Sequence, residues 1–176
     1  MQQLQFQPRG LTMRNYLTTA TRLILTSIGA AALLAPLPTQ AEDNSVKRRL
    51  DSIGQKYEVD KDGDFKVVFS FPEEKRTQMV FVTGAAYDVV GGMQVRNIFS
   101  AVAKVKEDAI ANKAADLLKA NNGYKIGAYE IAGEYAWFSM KVPDNATAKQ
   151  LLEAIQTVAS VADDKEKELS GARDTF

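Results

Sequence analysis

Neither histidine nor cysteine occurs anywhere in the 176 residues. Without histidine there are no His-dependent triads, no imidazole general bases and no His-ligated zinc. Without cysteine there are no thiol nucleophiles, thiolate metal sites or disulfides, and no thiol for a lipoprotein anchor. Glycine-rich phosphate loops of Walker or Rossmann spacing are missing too, as are the Gly-x-Ser-x-Gly elbow and the Ser-x-x-Lys pair. Carboxylate pairs remain as a route to catalysis, as in glycoside hydrolysis. Those present, such as Asp163-Asp164 in "DDKEKE" (163–168), fall in a charge-rich helix end. Solvation and i,i+4 pairing account for them there. The expectation is a protein that is not an enzyme, with no catalytic residue, no bound metal and no cofactor.

Acidic residues are absent from the first 41 positions, which carry Arg9, Arg14 and Arg22. An apolar run, "LILTSIGAAALL" (Leu23 to Leu34), follows, and then Pro36, Pro38 and "TQA". A basic start, a short apolar stretch and a small residue before the cut have the form of a secretory signal peptide. The run falls short of the roughly 20 residues a membrane span needs. Residues 1–41 are therefore expected to be cleaved after Ala41, with Met13 as the candidate start. The expected location is periplasmic or secreted, with no membrane anchor after cleavage. Three of the 22 basic residues lie in this segment, leaving 19 against 22 acidic ones, a net charge of −3. A weakly acidic chain lacks the basic footprint of a nucleic-acid binder. The remainder, 42–176, is long enough for one hydrophobic core without staples. It reads as a single domain with a frayed tail over 170–176.

Periodicity changes several times along this domain. Val46, Leu50, Ile53 and Tyr57 recur at helical spacing behind Asn44 or Ser45 as N-cap. Phe65, Val67, Phe69 and Phe71 then alternate with polar or smaller residues, and "RTQMVFVTG" (76–84) alternates again, which is the mark of half-buried strands. "MQVRNIFS" (93–100) is a further strand candidate. A helix is expected over roughly 104–121, with Ile110, Ala114, Leu117 and Leu118 on one face. "NNG" (121–123) should close it in a left-handed cap. "YKIGAYEI" and "EYAWFSMKV" form a hairpin around Gly133, and "DNAT" caps a last helix. That helix should bury Leu151, Leu152, Ile155, Val158, Ala159 and Ala162 and end in a solvated 163–168. The order α-β-β-β(-β)-α-β-β-α gives an α+β fold. An antiparallel sheet of about five or six strands packs with helices in a two-layer sandwich.

"EVDKDGDFK" (58–66) holds four acidic residues and a glycine, which raises the question of calcium. An EF-hand loop needs oxygen ligands at positions 1, 3 and 5, glycine at 6 and glutamate at 12. With Gly63 at position 6, the twelfth residue is Phe69, which cannot ligate. Starting from Asp60 puts Phe65 at the glycine position and Phe71 at the twelfth. Asp-Gly between alternating strands is a hairpin signal, and the stretch reads as a turn.

A candidate recognition surface comprises Arg76, Gln78, Arg96, Tyr135 and Trp137. Against it, polar residues on an open sheet face are ordinarily just solvated, and large aromatics on a sheet under helices are ordinarily core. Asn121 and Asn122 are explained by capping before Gly123.

"LDSIGQKYEVDKDGDFKVVF", "RTQMVFV", "RNIFS", "LLKANNGYKIGAYEI" and "VASVADDKEKELSG" together resemble the YbjN-like family of bacterial sensory transduction regulators. The likeness runs over about residues 46–171. It implies the fold of type III secretion chaperones, and it supplies no catalytic residues. The function expected is a non-catalytic exported binding module, chaperone-like or regulatory, engaging a peptide or protein in the cell envelope. A homodimer is the expected assembly. The alternative is a small-ligand-binding or sensory domain with a pocket between sheet and helices.

Overall fold

A computed structural model of the chain describes residues 44–171 and 173–176, and these form one compact unit. The segment 1–41 expected to be a signal peptide, with Met13 and Ala41, lies outside the described residues. The fold is α+β. Helix α1 (Ser45–Ser52) is followed by strands β1 (Glu58–Val59), β2 (Phe65–Phe71), β3 (Arg76–Val82), β4 (Tyr87–Asp88) and β5 (Gln94–Lys104). Helix α2 (Ala114–Ala120), strands β6 (Gly127–Ala132) and β7 (Tyr135–Pro143), and helix α3 (Ala148–Ser170) complete it. All strand pairings are antiparallel, in the order β1-β2-β3-β5-β7-β6, with β4 also on β5. The sequence expectation of three or four strands before α2 misses β1 and β4, which are two residues each.

Alternation on the strands decides which side of the sheet the helices take. Val67 and Val80 pair across β2 and β3, and Val82 pairs with Ile98 of β5. These join Phe138 of β7, Val46 and Leu50 of α1, Leu117 of α2, and Leu151, Ile155 and Val158 of α3 in one buried cluster. All three helices therefore lie on one face. A capping box starts α3: the Gln150 N–H donates to the Thr147 hydroxyl oxygen, and the Thr147 N–H donates back to the Gln150 side chain.

The acidic stretch is a turn joining β1 to β2. The Asp60 carboxylate accepts the N–H groups of Asp62 and Asp64, each at 2.9 Å, and Asp64 accepts the Gly84 N–H at 3.0 Å. A Cβ on Gly84 would stand 2.1 Å from the Gly63 carbonyl oxygen, so only glycine lets this turn seat against the end of β3.

Three expectations need correction. The helix over 104–121 is shorter, because β5 runs on to Lys104, held by β7 through a bulge between Ala101 and Ala103. Asp108 then turns the chain by accepting the Lys104 N–H, Ile110–Asn112 is a 3-10 turn, and Leu118 is 73% exposed. Gly123 is not left-handed, and the Asn121 side chain instead bonds both backbone groups of Tyr129 on β6. The tail is not frayed over 173–176, where backbone and side chains are tied to β3 and α3.

Candidate interaction surface

Polar residues singled out from the sequence turn out to be interior. Arg76 is 7% exposed, and its side chain lies on the helix face of β3. Its Nε donates to Asp163 at 2.6 Å and its Nη2 to Glu166 at 2.8 Å, with Asp174 3.9 Å away. Asp163 and Glu166 are buried, so the expected solvated end of α3 is half interior. Burial opposes the charge on Arg76, but these carboxylates outweigh it and hold the guanidinium above its usual value. Burial pushes Glu166 up from the ordinary carboxylate value, against the pull of the Thr175 N–H and Arg76.

Gln78 is fully buried in the gap where β3 diverges from β5. Its Nε2 donates to Ser100 Oγ at 2.7 Å and to the Ala101 carbonyl at 2.9 Å, while its Oε1 finds no partner among the described residues. Arg96, also fully buried, is a clamp. It donates to Asp144 at 2.5 Å, to the Thr83 carbonyl at 2.9 Å and to Ser45 Oγ at 2.8 Å. Thus it ties the start of α1, the end of β3 and the β7–α3 loop together. Arg76, Gln78 and Arg96 do not line an accessible surface.

Tyr135 and Trp137 do reach the surface, and they are not core under the helices. They lie on the opposite face of the sheet, which no helix among the described residues covers, and they are half-buried there. Phe81 stacks on its cross-strand partner Phe99 at 5.4 Å, and Phe99 meets Trp137 edge-on at 5.4 Å. Trp137 contacts Tyr135 at 5.4 Å, and Tyr135 meets Phe176 edge-on at 5.9 Å. Five rings thus form a continuous stripe across β3, β5 and β7. Val68 and Tyr87, both more than half exposed, extend the apolar area along β2 and β4. Phe81, Phe99 and Phe176 were not singled out from the sequence. The alternation of "VFV" and "NIFS" carried the signal for the first two, because it puts both phenylalanines on the face opposite Val80 and Ile98.

Ring geometry limits what such a stripe can hold. A sugar platform needs ring faces turned outward together, whereas three of the four contacts here are tilted or edge-on, between 59° and 78°. Rings packed edge to face present a corrugated apolar surface, which suits side chains of another protein.

A second concavity lies on the helix side, between α3 and the β6–β7 edge. It encloses about 720 Å³ and is open to solvent, with Phe138, Met140, Val142, Ala154 and Val161 as its apolar wall and Tyr124 at one end. Among the described residues no group of three or more acidic side chains is arranged to hold a metal ion. No helix among them is long and apolar enough to cross a membrane.

Fold and surface together define a class: an α+β two-layer module whose sheet has one aromatic face that no helix among the described residues covers. No family model matches the chain, and no curated protein is significantly similar to it.

Proposed function

We propose that this chain is a non-catalytic binding module, chaperone-like or regulatory, that engages apolar segments of a protein partner through the uncovered face of its sheet. The observation carrying this reading is the stripe of Phe81, Phe99, Trp137 and Tyr135, half-buried, with Phe176 buried at its end and no helix among the described residues over it. Aromatic clusters of this kind are where binding energy concentrates in protein interfaces. An exported location and the regulator family that the sequence resembles belong to the same proposal. So does self-association through this face, which in a standard interface would bury about 800 Å² per partner.

Trp137 is the only tryptophan, so its emission reports directly on whether the face is covered. The probe is a reduced and alkylated unfolded protein, titrated into the purified chain. The expected result is a blue shift of Trp137 emission, with complex formation seen by light scattering. Phe99→Asp places a charge between Phe81 and Trp137 and should weaken binding at least tenfold. A strict monomer at high concentration with no response to the probe overturns the reading, as does turnover of a metabolite.

The groove beside α3 favours a second reading, small-ligand binding, because 720 Å³ is within the size range of such sites. Displacement of an apolar fluorescent dye from the chain, lost in Ala154→Trp and retained in Phe99→Asp, would support that reading instead.

A further inference from the structure

Strand β3 pairs with β5 only through Phe81 and Val82. Further back, at Thr77 and Met79, the two strands diverge, and the N–H groups of both residues point into the gap. The chain's own segment 173–176 fills it. The Thr77 N–H donates to the Asp174 carboxylate at 3.3 Å, and the Met79 N–H donates to the Phe176 carbonyl oxygen at 2.7 Å. The Arg173 carbonyl accepts from Arg76 Nη1 at 2.7 Å, and the Arg173 guanidinium pairs with Asp108. Buried Glu166 accepts the Thr175 N–H at 2.7 Å, and the Phe176 ring, also buried, packs on Tyr135. Four consecutive residues are thus gripped in the manner of a bound peptide. One backbone group, the Phe176 oxygen, pairs with the edge of β3; the Arg76 and Glu166 side chains take two more, and the side chains of Arg173, Asp174 and Phe176 are placed by charge, by the Thr77 N–H and by an aromatic neighbour.

Turning the chain from α3 into this slot requires Gly171, which sits at φ 70° and ψ −129°. The slot's deepest groups, Arg76 and Glu166, belong to β3 and α3, so the site is built before the segment enters it. Its chemistry is selective: an acid opposite Thr77, an aromatic two residues on, and a basic residue one position before the acid.

We propose that the gap between β3 and β5 is a peptide-recognition slot and that residues 173–176 occupy it as an intramolecular stand-in. The occupant in trans would be an extended segment of a partner protein with a basic-acidic-x-aromatic pattern. The slot shares Tyr135 with the aromatic face and goes beyond that reading, since it holds an extended segment by one strand-edge bond and several side-chain contacts, with a sequence preference. A segment tethered next to its own site acts at an effective concentration of the order of millimolar. A free peptide of the same sequence should therefore bind the intact chain poorly.

The test uses the full chain carrying Asp174→Ala with Phe176→Ala, and a dye-labelled peptide Ser-Gly-Ala-Arg-Asp-Thr-Phe read by fluorescence anisotropy. The expected result is at least tenfold tighter binding to the double variant than to the unaltered chain. The peptide should also restore slow hydrogen exchange at the Met79 amide, and a peptide with Ala for Asp or Phe should bind at least tenfold more weakly. Should the double variant unfold, Phe176→Ala alone retains Asp174 and carries the same comparison. A folded variant whose Met79 amide exchanges freely yet binds no peptide overturns the slot. Equal binding to variant and unaltered chain overturns the stand-in. A dimer made by exchanging 173–176 between copies would also overturn the proposal. Because Phe99→Asp leaves the slot's donors in place, unfolded-protein binding that survives Phe99→Asp, with peptide binding to the slot intact, would sink the aromatic-face reading alone.

Discussion

Replacing Arg76 with methionine removes the guanidinium from between two buried carboxylates and leaves both without their closest cation. Asp163 keeps Lys167, 3.1 Å away, whereas Glu166 keeps Thr175, a neutral donor, and no cation of comparable closeness among the described residues. Breaking a buried pair by removing one partner costs about 3–5 kcal/mol, because the charge left behind is neither solvated nor paired. Domains of this kind have about 5–15 kcal/mol in total, so the loss is a large fraction of the stability. Urea unfolding followed by Trp137 emission is the direct assay. With a slope of about 1–3 kcal/mol per molar, the midpoint should fall by at least about 1 M.

The pH dependence of that deficit separates a charge effect from a packing effect. Glu166 already titrates above its unfolded value, because burial disfavours its anion. A carboxyl raised on folding contributes stability that is fully present below its unfolded pKa and is lost as pH rises through the folded one. Removing Arg76 takes away a force that lowers the pKa, so the folded value rises further and the penalty at neutral pH grows. The deficit of Arg76→Met should therefore shrink as pH falls from neutral toward the carboxylate range. Combining Arg76→Met with Asp163→Leu and Glu166→Met removes all three charges and should recover most of the loss, since apolar replacements of buried triads are often neutral or stabilising. A midpoint unchanged by Arg76→Met, or a deficit independent of pH, would refute the reasoning.

Gly84→Ala should destabilise by about 1–3 kcal/mol in the same unfolding assay, because its methyl would meet the Gly63 carbonyl oxygen at 2.1 Å and the turn must move. A neutral result would mean the turn is not seated there. Asn121→Ala removes both side-chain bonds to the Tyr129 backbone and should cost about 1–3 kcal/mol while freeing a strand edge. Light scattering should then show concentration-dependent aggregation, and its absence would show that Asn121 does not guard the edge.

Local features were legible wherever one face of an element is uniform. The alternation in "FKVVFSF" and "TQMVFV" placed β2 and β3, and the apolar stripe from Leu151 to Ala162 placed α3. The same stripe holds the signal for what was missed. Asp163 and Glu166 continue the buried positions Ala159 and Ala162 at helical spacing, so their side chains point inward whatever their charge. Their partner Arg76 lies 87 and 90 residues away, and a single sequence does not state such pairings. The strand expected over 93–100 stopped short of the continuation from Ala101 to Lys104. Its state is decided by pairing with Ala136 and Tyr135 across a bulge, a tertiary effect that overrides local propensity. Residues 173–176 look like an ordinary polar terminus, and what orders them is donors on β3 and acceptors on α3.

The positions of free and occupied backbone groups bear on how this sheet would meet a partner. On β6, the outward N–H and C=O of Tyr129 are taken by Asn121, a device that blunts an edge against pairing. On the far side, β1 covers only the start of β2, at Lys66 and Phe65. The inward-facing donors at Thr77 and Met79 are filled by the segment 173–176. Strand addition at β6 is therefore opposed, and addition at the slot requires a segment able to displace the one in place. The aromatic face carries no such guard. Charged residues of both signs flank its rings as cross-strand partners: Lys66 pairs with Phe81, Glu130 with Trp137 and Lys104 with Tyr135. Association through the rings would be driven by apolar burial, with a negative heat-capacity change, and the flanking charges, at least partly exposed and of both signs, would give it a weaker salt dependence than the slot. Association through the slot would instead weaken with salt, because Asp108 pairs with Arg173 and Arg76 lies 3.9 Å from Asp174. A salt titration of each binding event, run on the same chain, assigns the event to face or slot.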